Sequence, residues 1–101
     1  MQIGSFQRFG DAFKGSIQTL TLSAEAIFVL VRGSRGSLSP SHVILTNGIE
    51  VGAAWPKVPG DLNNLKVRID DPSFPAPILG ALIPAGEGEF VLLWKRPAWR
   101  V

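Results

Sequence analysis

The chain has no cysteine and a single histidine, His42. The first absence excludes disulfides, thiolate metal sites and a cysteine nucleophile. The second leaves zinc without its usual set of Cys and His ligands. No cofactor is expected. Long apolar runs are also missing. The longest, Ala26 to Val31, falls far short of the roughly 20 residues a membrane helix needs. The opening Met1-Gln2-Ile3-Gly4-Ser5-Phe6 has no basic segment followed by an apolar stretch, so no signal peptide is expected. These readings predict a cytoplasmic chain with no membrane partner. Neither sign of charge dominates: the formal net charge is +2. That permits nucleic-acid binding without demanding it.

What is present points to one small β domain. The 101 residues are 46% hydrophobic and 18% charged, enough apolar material for a single core. Eleven glycines and eight prolines suit many short strands better than a few long helices. Eight strands can be read: Gln2 to Phe9, Ala12 to Leu22, Ala24 to Arg32, His42 to Thr46, Ile49 to Trp55, Leu65 to Ile69, Ile78 to Ile83 and Phe90 to Arg96. Ala24 to Arg32 also admits a helix, because Ser23 can cap one and Glu25 suits a first turn. The β-branched run Ile27 to Val31 ending at Gly33 favours a strand. Asn47-Gly48 is a strong two-residue hairpin signal. In the arm after it, Ile49, Val51, Ala53 and Trp55 share one face, and Glu50, Gly52 and Ala54 the other. The small side chains of Gly52, Ala53 and Ala54 suit either approach of another backbone or tight packing inside a barrel. Leu65, Val67 and Ile69 alternate with Lys66, Arg68 and Asp70, as in a half-exposed strand. Gly33 to Ser41 reads as a loop. The three prolines between Asp71 and Pro77 exclude a helix or central strand there. The predicted fold is all-β and mostly antiparallel, a small barrel or two-layer sandwich of about seven or eight strands. Residues 1–101 form one domain.

Few residues carry the marks of catalysis. Asp70 and Asp71 are adjacent carboxylates and could serve a metal-dependent hydrolase. Strand geometry points them to opposite faces, and a loop-start role bonding the backbone around Pro72 is the simpler reading. His42 has Ser and Asp residues available to it, but no Gly-x-Ser-x-Gly elbow is present. Gly33-Ser34-Arg35-Gly36 and Gly86-Glu87-Gly88 lack the Gly-Lys-Ser/Thr ending of a phosphate-binding loop.

Binding chemistry is better represented. The run Trp94-Lys95-Arg96-Pro97-Ala98-Trp99-Arg100 mixes indoles with cations. Indoles stack on bases and cations neutralise phosphates, which suits a single-stranded nucleic acid. Lys95, Arg96, Trp99 and Arg100 are the candidate contacts, joined by Lys66 and Arg68 on the half-exposed strand. Arg8 and Lys14 could extend the same basic face. The structural alternative makes Trp94 core and folds Trp99 over an open end of the barrel. Phe74, held among prolines, is a candidate anchor for a protein partner or a homodimer through exposed strand edges. The alternative makes it a plug beneath a rigid loop.

Several segments in order resemble a bacterial family known as domain of unknown function 736. They are Ile3-Gly4-Ser5-Phe6, Phe13 to Leu22, Gly52-Ala53-Ala54-Trp55, Asp70-Asp71-Pro72-Ser73-Phe74-Pro75-Ala76-Pro77-Ile78 and Leu93-Trp94-Lys95-Arg96-Pro97. Leu79 departs from the pattern, which carries an aromatic near this position. The resemblance implies a bacterial origin and a setting near plasmid or conjugative-transfer genes. It implies no catalytic residues. The expectation is therefore a non-enzymatic binding module, acting on nucleic acid or a nucleoprotein complex. A protein-interaction or inhibitor module is the alternative.

Overall fold

A computed structural model of the chain describes residues 2–20, 23–31, 40–58, 60–72 and 76–94. They form eight strands: β1 Gln2–Phe9, β2 Ala12–Gln18, β3 Ser23–Leu30, β4 His42–Thr46, β5 Ile49–Pro56, β6 Leu65–Ile69, β7 Ile78–Gly86 and β8 Glu89–Trp94. Each strand runs antiparallel to the next, and β8 pairs with β1, so the sheet closes into a barrel. Of the two architectures the sequence allows, the barrel is the one adopted. Ala24 to Arg32 gives a strand, β3, rather than a helix.

Period-2 patterning explains the faces. Phe13 and Ile17 on β2, Ala26 and Phe28 on β3, Leu65, Val67 and Ile69 on β6, and Phe90 and Leu92 on β8 all point inward. The lumen is therefore a packed core and not a channel. Aromatic rings fill it near one end, edge to face. Phe6 meets Phe28 at 5.1 Å and Phe13 meets Phe90 at 4.7 Å between ring centroids. Such pairs add about 0.5–1.5 kcal/mol each beyond area burial. At the Asn47-Gly48 turn both residues have positive φ, 53° and 78°, as a two-residue hairpin of this kind requires.

Three strands depart from the simple alternation, each at a bulge. On β1 the register shifts between Gln2 and Gly4, which lets both Ile3 and Phe6 face the core. On β5 Val51 is the extra residue between the Ile44–Gly52 and Leu45–Glu50 pairs. It packs partly against the core, while its carbonyl accepts from the Asp70 amide at 2.7 Å. On β7 the strand continues past the expected end at Ile83 to Gly86: Pro84 still pairs with Phe90, and Ala85 is the extra residue before the Gly86–Glu89 pair, so the proline stands beside a bulge. β2 is shorter than expected. It stops at Gln18, and Leu20 is fully exposed.

Glycines make the tight curvature possible. Gly52 faces inward opposite Ile69, and a Cβ there would collide with the Arg68 carbonyl. The small residues of this segment therefore serve packing inside the barrel: Gly52 accommodates β6 of its own sheet, and Ala54 is completely buried. Gly86 differs, since a Cβ there meets only the end of the Glu89 side chain at 3.2 Å. Gly52→Ala is expected to destabilise the fold by about 1–3 kcal/mol, the usual scale of overpacking. Gly86→Ala should stay within about 0.5 kcal/mol, as surface substitutions do. Urea unfolding of the two variants checks the contrast.

Candidate functional site

The turn Gly10-Asp11 and the start of β4 meet at one end of the barrel, and here the lone histidine is found. His42 is 1% exposed. Its Nδ1 lies 2.8 Å from the Ser41 hydroxyl, which also lies 3.3 Å from the Ala54 carbonyl. Its ring packs on Phe13 at 5.5 Å. Arg8 covers the same end, with its guanidinium 5.2 Å from the Phe13 ring centre and 5.4 Å from that of Phe90. Burial pushes the His42 pKa below its ordinary value; a main-chain hydrogen bond at Asp11 opposes this, the Arg8 charge adds to it, and the Asp11 charge opposes it. Ser, His and Asp thus come together, but the imidazole is sealed inside and hydrogen-bonded in place.

A buried histidine of this kind has a consequence for stability. With its folded pKa below the unfolded one, the unfolded chain binds more protons. The stabilising neutral state is complete above the ordinary value of 6.5 and is lost as pH falls from there through the folded pKa. Urea unfolding at a series of pH values should show this decline for the parent chain. His42→Phe should lack that component.

Of the adjacent carboxylates Asp70 and Asp71, the first is engaged by its own neighbourhood. Asp70 lies 3.5 Å from the Arg68 guanidinium, each side chain about half exposed. Its amide is the one bound to Val51. No group of three or more His, Asp or Glu side chains is placed to hold a metal among the described residues.

The outer face of β5, β6 and β7 collects the binding chemistry. On β6, Lys66 and Arg68 point outward between the buried Leu65, Val67 and Ile69. The register places Trp55 of β5 directly opposite Lys66, and Ala53 opposite Arg68. On the other side, Ala81 and the exposed Leu79 of β7 face the same two cations. An indole, two cations and small or aliphatic side chains thus share one strip of the barrel wall. Arg8 and Lys14 do not extend it. Arg8 sits on the barrel end, and β2, which carries Lys14, lies four strands from β6, on the far side of an eight-stranded ring.

Of the other predicted contacts, Phe74, Lys95, Arg96, Trp99 and Arg100 lie outside the described residues. The point where the C-terminal run begins is defined, however. Trp94 pairs with Gly80, and Gly80 with Val67. Trp94 therefore sits two strands from β6, about 10 Å away at ordinary strand spacing, level with Lys66 and Arg68. Trp94 also lines an apolar pocket of about 470 Å³ at that end, with Ile3, Leu20 and Ile78. Strand edges are unavailable to a protein partner among the described elements, because every strand is paired on both sides.

Sequence reasoning found Lys66 and Arg68 but missed their neighbour Trp55. The alternation places each residue on a face, while the Trp55–Lys66 pairing depends on the register set by the turn between β5 and β6. Residues 2–97 match the family model described as "Protein of unknown function (DUF736)". The chain belongs to this family. The match includes Trp55, Lys66 and Arg68 and stops short of Trp99 and Arg100. No curated protein and no solved structure matches the chain.

Proposed function

We propose that this DUF736 chain is a non-enzymatic module that binds single-stranded nucleic acid along the outer face of β5, β6 and β7. The observation that carries the reading is the placement of the half-buried Trp55 beside the exposed Lys66 and Arg68 on one outer strip. An indole face stacks on a base whatever its identity, and flanking cations neutralise the phosphates on either side. The Arg68–Asp70 pair is long and half exposed, so it costs little to exchange for a phosphate. Lys95, Arg96, Trp99 and Arg100, which follow Trp94 in the sequence, supply further cations and an indole of the same chemistry. In the cell this activity belongs to a cytoplasmic nucleoprotein complex, in keeping with the mobile-element setting that the family resemblance suggests.

A salt titration of binding to short fluorescent single strands tests the reading. Log affinity should fall linearly with log salt concentration. Lys66→Ala and Arg68→Ala should each reduce that slope by about 0.7, the value of one phosphate contact on a single strand. Trp55→Ala should cost about 1–3 kcal/mol with the slope unchanged, as expected for a lost stacking contact. Absence of binding at low salt, or binding indifferent to all three substitutions, overturns the proposal.

A further inference from the structure

Away from the strip, the outer faces of β3 and β4 carry an unusual pattern for a sheet surface that meets water. Ile27 and Val29 of β3 and Val43 and Leu45 of β4 all point outward and are only partly buried. They lie in two cross-strand rows. One runs Lys14–Ile27–Leu45–Glu50 from β2 to β5. The other runs Val29–Val43–Ala53 from β3 to β5. The first row is aliphatic in the middle, with a cation at one end and an acid at the other.

We infer that this face is the interface of a twofold-symmetric homodimer. A twofold axis parallel to the strands, passing between β3 and β4, maps each row onto itself in reverse. Ile27 then lies over Leu45 of the second copy, and Val29 over Val43 of the second copy. Lys14 comes to the same rim as Glu50 of the second copy, and the symmetry makes this contact twice. A twofold interface must be complementary to itself. These rows meet that demand in shape, with β-branched and leucine side chains facing each other, and in charge, with unlike ends brought together. Two sheets packed face to face in this way align within about 30°. The outer face of β7 and β8 is also aliphatic, with Ile83 opposite Val91, but that row runs on through Ser5 and Ser16 to a single acid, Glu25. It has no opposed charges to fix a register. The dimer leaves β6 and β7 turned away from the interface, so the two copies would display Lys66 and Arg68 on opposite flanks, with Trp55 of β5 at the interface edge.

Sedimentation of the full chain over a concentration series tests it. The expected species has twice the 10.9 kDa mass of the chain. Leu45→Arg should give a monomer at concentrations where the parent is dimeric, with its circular dichroism unchanged. Ile83→Lys, on the other aliphatic face, should leave the dimer intact. Lys14→Glu should weaken the dimer by about fivefold, the scale of exposed charge pairs, and the double variant Lys14→Glu/Glu50→Lys should restore it. If Leu45→Arg fails to fold, Val43→Lys serves the same purpose. A chain that stays monomeric up to roughly 100 μM, well above the micromolar range of modest interfaces, overturns the inference. So does a dimer that survives Leu45→Arg, is lost with Ile83→Lys, or is not restored by the charge exchange.

Discussion

The pairing of β8 with β1 is the constraint on which the rest of this structure depends. With only eight short strands, the barrel is narrow, and its wall must bend sharply to meet itself. Gly52 and the bulges at Val51 and Ala85 answer that demand, since each relieves a place where a regular strand would collide with its neighbour or lose a hydrogen bond. Closure also removes the free strand edges that invite unwanted pairing. It moves the surfaces available for recognition onto the outward faces of the strands, where a residue's neighbours are set by register and not by sequence distance.

Closure also explains how the inside is used. A narrow lumen must be filled, and four phenylalanines in edge contact do so near one end. His42 completes that layer as a flat ring with two polar atoms. Its polar needs are met by Ser41 and the main chain at Asp11. The histidine is thus a packing element whose chemistry is consumed by its surroundings. Arg8 closes the end by lying on two of the rings, whose faces attract its charge.

Much of this was legible in the sequence wherever one physical signal acted alone. Leu65, Val67 and Ile69 alternating with charged residues define β6, and Asn47-Gly48 defines the turn between β4 and β5. The β-branched run after Ala26 favoured a strand over a helix, and that strand is buried on its inward face. Legibility failed where two elements had to be combined. Pro84 read as the end of a strand, because the bulge beside it is visible only in the pairing with β8. Trp55 read as a member of a face with Ile49 and Val51, and the Val51 bulge breaks that face. The opposition of Trp55 and Lys66 needed the register across a connection, residues 57–64, that carries no periodic signal. Charge alone assigns Arg8 and Lys14 to one basic face, because it says nothing about position around a ring.

The adjacency of the first and last strands has a consequence of its own. Gln2 pairs with Leu93, so the first and last strands are neighbours in the same wall and their outer ends emerge side by side. Topologically the domain is a ring of hairpins that happens to be cut between β8 and β1. A short linker across that cut, with a new opening at the exposed Asn47-Gly48 turn, would preserve every strand neighbour while changing which strand is made first. The architecture is thus indifferent to its starting point, and the order in which the ribosome delivers the strands is a property of the gene and not of the barrel.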